Sequence, residues 1–187
     1  MFDKLQAAIR VFEDWSKDDA QRKIFEKLVN QLLDTYQSGG KLILAGNGGS
    51  SAEAAHIAAE FVGKCSQMSK PLPAISLSES SSQMTAISND FGIESMFTRG
   101  IQAFAKEHDT VILLSTSGQS KNIISAANFC TQSNLKYSLW TSLKFISTDI
   151  KSDYTIVAPT FSTPRAQELH LVLGHILAEE IEIRYLV

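Results

Sequence analysis

The chain has 187 residues, 44% hydrophobic and 20% charged, enough to bury about 70% of its surface in one good core and too short for two. Ordinary Gly and Pro counts (10 and 4) exclude collagen-like and low-complexity classes, and a net charge of −3 with a pI near 5.8 argues against a nucleic-acid partner. A mean hydropathy of −0.02 with no apolar run near ~18 residues, no secretory pattern over 1–6 and two cysteines without redox or zinc spacing predict a soluble cytoplasmic domain with no membrane partner.

The first forty residues read as two helices. In the second, Ile24, Leu28 and Leu32 recur every fourth position beside Phe25, Val29 and Leu33, an apolar stripe at helical period. Gly39-Gly40 ends it. The rhythm then changes to short apolar runs bounded by breakers, at 41–45, 73–77, 110–114, 137–140 and 154–157, each read as a buried strand. Helical stretches lie between most of them: 51–65, 84–105 with a break at Asn89-Asp90-Phe91-Gly92, and 121–133. The connection from Trp140 to Tyr154 shows no strong period. A last helix begins at Pro164, where proline suits a first turn, and runs to about Tyr185. Strands alternating with helices predict an α/β fold, a parallel sheet covered on both faces, whose ligands bind where strands end and helices begin.

Two of those junctions are chemically loaded. Gly46-Asn47-Gly48-Gly49-Ser50-Ser51 runs from a strand straight into a helix. Glycines let several N–H groups converge, and a helix start adds unpaired donors; a plain tight turn capped by Ser50 or Ser51 is the alternative. The spacing fits neither a dinucleotide nor a Walker motif. Ser115-Thr116-Ser117-Gly118-Gln119-Ser120 repeats the arrangement after the third strand, with more hydroxyls than capping requires. Two such turns on one rim predict a pocket for a phosphorylated small molecule, held by N–H and hydroxyl donors because no Arg or Lys cluster is adjacent.

The helix after the first turn is apolar almost all round, yet carries Glu53, His56 and Glu60 on one face. Such a face needs water, a metal or a counter-charge; a solvated His–Glu pair and a metal or acid–base site both remain open. On the last helix, Gln167 and His175 are eight residues apart, about 12 Å of rise. They can meet one ion only by long reach or from different subunits. His170 is read as a hydrogen-bonded structural residue.

Taken in order, Gly46-Asn47-Gly48-Gly49-Ser50, His56 with Glu60, Asn89-Asp90-Phe91-Gly92, Ser115-Thr116-Ser117-Gly118-x-Ser120 and Gln167-Glu168-x-His170-x4-His175 resemble the sedoheptulose 7-phosphate isomerases, of the sugar-isomerase (SIS) domain superfamily. The resemblance covers nearly the whole chain. It implies a three-layer sandwich with a five-stranded parallel sheet, a single SIS domain over 1–187 in which the N-terminal helical segment 1–38 makes oligomer contacts. It also implies a homotetramer with active sites at subunit interfaces. Members convert sedoheptulose 7-phosphate to D-glycero-D-manno-heptose 7-phosphate, towards activated heptose for surface polysaccharide.

Carried over to this chain, the resemblance implies substrate contacts from Asn47, Gly48, Gly49, Asn89 and Asp90. Phosphate and hydroxyl binding falls to Ser50, Ser115, Thr116, Ser117 and Ser120, and one zinc ion per subunit to His56, Glu60, Gln167 and His175. Glu60 and His175 are the expected acid–base pair, with Glu60 and Gln167 also at the substrate. Three positions depart from the pattern: Lys64 replaces a frequent arginine, Pro164 a frequent aspartate, and Thr141-Ser142-Leu143-Lys144 a glycine-rich turn. The rival expectation is a non-catalytic SIS protein, a sugar-phosphate sensor or a binder of the replication initiator; the presence of Glu60 and His175 favours an enzyme.

Overall fold

In the computed structural model, residues 2–66, 70–145 and 150–185 are described. Two helices lead, α1 (Phe2–Lys17) and α2 (Asp19–Gln37). Asp18 divides them: its backbone is extended, and its carboxylate accepts the N–H groups of Ala20 and Gln21 at 3.0 Å, satisfying donors a helix start leaves open. The stripe of α2 buries Phe25, Leu28, Val29 and Leu32.

Five strands follow: β1 (Leu42–Gly46), β2 (Ala74–Ser76), β3 (Thr110–Leu114), β4 (Lys136–Ser142) and β5 (Tyr154–Ala158). They form one parallel sheet in the order β2-β1-β3-β4-β5. The intervening helices are α3 (Gly49–Val62), α4 (Ser81–Phe91), α5 (Met96–Phe104) and α6 (Lys121–Gln132), and α7 (Thr163–Tyr185) closes the chain. Period-two alternation divides the strand side chains between two cores. Leu42, Leu44, Ile112, Leu114, Trp140 and Ile156 pack with α1, α2, α3 and α7. Ile43, Ala45, Val111, Leu113, Tyr137 and Leu139 pack with α5 and α6. This is the three-layer α/β arrangement expected.

Four details differ from the sequence reading. The helix expected over 51–65 stops at Val62, where Gly63 closes it by donating its N–H to Ala59 C=O. Neither Ser50 nor Ser51 caps α3: the N-cap is Gly48, at φ +55°, a left-handed conformation that favours glycine. α7 starts one residue before Pro164. β4 extends to Ser142, because Thr141 and Ser142 continue the pairing with β5. Of the connection without strong period, Leu143 and Lys144 form a turn, and 146–149 lie outside the described residues. The break expected near Gly92 is present: α4 ends at Phe91, and a short 3-10 turn leads into α5.

Candidate active site

β1 and β3 are neighbours, with Gly46 level with Leu114, so the two loaded turns leave the sheet side by side. The sheet order reverses between these strands, the place where ligands of such sheets bind. In the first turn, Ser50 N–H donates to Asn47 C=O at 2.9 Å and Ser51 N–H to Gly48 C=O at 3.1 Å. Asn47, Gly48 and Gly49 are exposed, whereas Ser50 is buried. In the second, Ser115 is buried and its hydroxyl works inward, accepting Gly118 N–H at 3.2 Å and donating to Ser120 Oγ at 3.5 Å. Ser142 Oγ donates to Thr116 C=O at 2.6 Å, tying β4 to this turn. Thr116, Ser117 and Ser120 are half-buried. Lys121, which opens α6, pairs with Glu94 at 3.0 Å.

The second cluster lies on α3 and α7. These helices run parallel in one register: Ser50 meets Gln167, Glu53 meets His170, Ile57 meets Gly174 and Cys65 meets Glu182. The partner's number is 117 higher in every case. Small residues permit the approach, since a Cβ on Gly174 would lie 2.4 Å from Ile57 Cγ1. The register brings His56, Glu60 and His175 together. His56 Nε2 is 2.8 Å from His175 Nε2 and 3.2 Å from Glu60 Oε1, with His175 Nε2 3.9 Å from the same oxygen. A tetrahedral zinc with bonds near 2.0–2.1 Å separates its ligand atoms by about 3.3 Å. Those three distances straddle that value, so the donor set and its spacing fit zinc. His56 and His175 are partly open to solvent while Glu60 is mostly covered.

Gln167 stands elsewhere within the chain. Its amide lies against Gly49 and donates to Ser50 Oγ at 3.4 Å, beside the first turn and two helical turns from His175. Glu53 also departs from its expected face-mates, being buried opposite His170 with Glu53 Oε1 3.6 Å from His170 Nδ1. His170 Nε2 donates to Thr141 C=O at 3.0 Å, the structural role read for it. Asn89 and Asp90 sit exposed on the last turn of α4, with Asn89 Nδ2 donating to Asp90 Oδ1 at 2.8 Å; neither contacts the turns or the His–Glu cluster among the described residues. Lys64 is exposed in the turn after α3, and Lys144 donates to Thr163 Oγ1 at 2.8 Å next to Pro164.

Two supporting residues escaped the sequence reading. Asn122, in the first turn of α6, exchanges two hydrogen bonds with Asn47; no local pattern marks it, because its partner is 75 residues away. Glu182 is buried and accepts the N–H groups of Cys65 and Ser66, fixing the chain that leaves α3. Its place seven residues after His175, on the same face of α7, is a signal that could have found it. The Cys65 thiol is pushed up to about 12, first by burial and then by its hydrogen bond to Glu60 and neighbouring carboxylates, so it stays protonated beside the cluster.

The SIS domain family matches residues 5–137. The phosphoheptose isomerase of Aneurinibacillus thermoaerophilus is 39% identical over 178 residues, 95% of this chain and 90% of that protein. That of Thermodesulfovibrio yellowstonii is 36% identical over 95% of this chain and 87% of its own. Among solved structures, the phosphoheptose isomerase GmhA of Neisseria gonorrhoeae superposes with a TM-score of 0.83 at 28% identity, covering 94% of this chain and 93% of that one.

Proposed function

The chain belongs to the phosphoheptose isomerases of the SIS-domain family, and from that premise we propose that it converts sedoheptulose 7-phosphate to D-glycero-D-manno-heptose 7-phosphate, supplying activated-heptose biosynthesis in the cytoplasm. The observation that carries the reading is the meeting of His56, Glu60 and His175 across α3 and α7. A carboxylate and two imidazoles in mutual reach are what a sensor has no use for and an isomerase requires.

The conversion moves a carbonyl from C2 to C1 of the open-chain sugar. A base takes a proton from C1 while the C2 oxygen gains one, giving an enediol; a proton then returns to C2 and the O1 hydroxyl loses one to leave the aldehyde. Proton transfer of this kind by a positioned side chain contributes about 10²–10⁴-fold. Glu60 carries the carbon-bound proton, its carboxylate lying mostly covered within the cluster. His175 turns Nε2 to His56 and Glu60, which leaves Nδ1 to move the proton between the two oxygens. Glu60 Oε1 is the oxygen turned towards both imidazoles, which leaves its second oxygen for C1.

One zinc per subunit would be held by His56, Glu60, His175 and Gln167, and would polarise the substrate's carbonyl oxygen. Within one chain Gln167 lies about 12 Å along α7 from His175, too far to share an ion. The four unite when the cluster of one subunit faces the turns and Gln167 of another, as an interfacial site in a homotetramer requires. Exposed Phe2, Leu5 and Ile9 on α1 and Val172, Ile176 and Ile183 on α7 support such assembly, with 1–38 as a contact segment of the single SIS domain 1–187. In that site Gly48, Gly49, Ser50, Thr116, Ser117 and Ser120 grip the phosphate and its neighbouring hydroxyls, with Ser115 shaping their turn and Asn47, Asn89 and Asp90 reaching the sugar.

The test is incubation of zinc-replete protein with sedoheptulose 7-phosphate, followed by NMR. Aldose anomeric signals are the expected outcome; their absence would refute the reading. Elemental analysis should find about one zinc per subunit, and none under replete conditions would remove the metal.

A further inference from the structure

Asn47 of the first turn is joined to Asn122, two residues past the second, by a pair of amide hydrogen bonds. Asn47 Nδ2 donates to Asn122 Oδ1 at 2.8 Å, and Asn122 Nδ2 donates back to Asn47 Oδ1 at 2.9 Å. The two carboxamides form a closed reciprocal pair, each using one of its two N–H groups. Turning both amides over exchanges the two bonds and leaves the pairing the same, so it does not depend on which amide atom is called nitrogen. Asn122 is only 5% exposed, while Asn47 lies open on the rim. The anchor is therefore on α6 and the anchored residue is the one facing ligand.

The sheet does not need this clasp. β1 and β3 are already held by five register pairs from Leu42 and Thr110 to Gly46 and Leu114, and their side chains are buried on both faces. The clasp acts beyond the last pair, where the two turns have left the ladder and little else sets the gap between them. A phosphate gripped from both sides is sensitive to that gap, because misplacement of donors by a fraction of an ångström weakens each bond. The second N–H of Asn47 is aimed by the same contact.

We propose that Asn122 is a positioning residue of the sugar-phosphate site, setting the distance between the two turns and the orientation of Asn47 through the paired amides. The proposal rests on reading both turns as the phosphate grip. Its signature is a loss concentrated in KM. Asn122→Ala should raise KM for sedoheptulose 7-phosphate roughly tenfold, the scale of two modest hydrogen bonds, with kcat within about threefold and Tm lowered by no more than about 5 °C. Asn122→Asp, at pH 8, keeps the shape but sets a carboxylate against Asn47 Oδ1, and should raise KM at least as much. Because the effect passes through Asn47, Asn122→Ala should add little to KM in an Asn47→Ala background.

Thermal stabilisation by inorganic phosphate separates the possible failures. Wild type stabilised by phosphate and Asn122→Ala stabilised less is the expected result. Equal stabilisation of both with an unchanged KM overturns the positioning role alone, as does a KM effect that persists undiminished without the Asn47 amide. No stabilisation of wild type by phosphate overturns the phosphate grip and the positioning role together.

Discussion

The rim of the sheet and the His–Glu cluster make opposite use of the chain. The rim is assembled from contiguous residues, Gly46–Ser51 and Ser115–Ser120, whose backbone and hydroxyls are the groups proposed to bind and whose place follows from two adjacent strands ending level. The cluster is assembled from mid-helix side chains, 119 residues apart in the case of His56 and His175, and exists only because α3 and α7 lie in one fixed register. A turn motif therefore depends mostly on its own residues and on its neighbour across the rim, whereas the cluster depends on the contacts that keep two helices from sliding.

The largest test of that contrast is Glu60→Gln. It should lower kcat about 10³-fold while the protein keeps its oligomeric state by size-exclusion chromatography; an active variant would move the base elsewhere. Next is Gly174→Val, which replaces no side chain of either region. The added side chain meets Ile57, so stability should fall by about 1–3 kcal/mol, or roughly 2–12 °C in Tm. Zinc retention should fall with it, while stabilisation by inorganic phosphate persists. Retained zinc in that variant would break the claim that the helix register builds the cluster.

Ser120→Ala has the smaller, local effect. It should raise KM for the phosphorylated sugar by about tenfold, the loss of a hydrogen bond to a charged group, at unchanged zinc content; an unchanged KM would disconnect that turn from phosphate. The smallest effect is none. With the Cys65 and Cys130 thiols both pushed up to about 12, chiefly by burial, thiolate is scarce at pH 8. Iodoacetamide should then leave turnover intact over a time that fully alkylates the unfolded chain, and rapid inactivation would show Cys65 to be reactive.

The same contrast explains what the sequence made legible. The layered sheet was readable because apolar runs of β1 and β3 and the stripe of α2 report burial locally. The rim was readable because glycine and serine cluster in a few positions. His56 and Glu60 could be paired by helical spacing, and so, on the same spacing, could Glu53, which in fact faces away to His170. Periodicity states which face a residue occupies and not what lies opposite. The placing of Gln167 against Gly49 rather than near His175, and the amide pair of Asn47 and Asn122, required the packing of distant segments. So did Gly48, rather than a serine, as the cap of α3: the backbone conformation there selects glycine before any hydroxyl can reach.

The grip proposed for the phosphate is made of hydroxyls and amide N–H groups and carries no formal positive charge, and the chain as a whole has a net charge of −3. On that reading the turns do little to draw a dianionic sugar in from a distance, as lysine-lined clefts draw theirs; the partial charges of the two helix starts act only at close range. Capture of substrate should then change little with ionic strength, where a cationic pocket would slow.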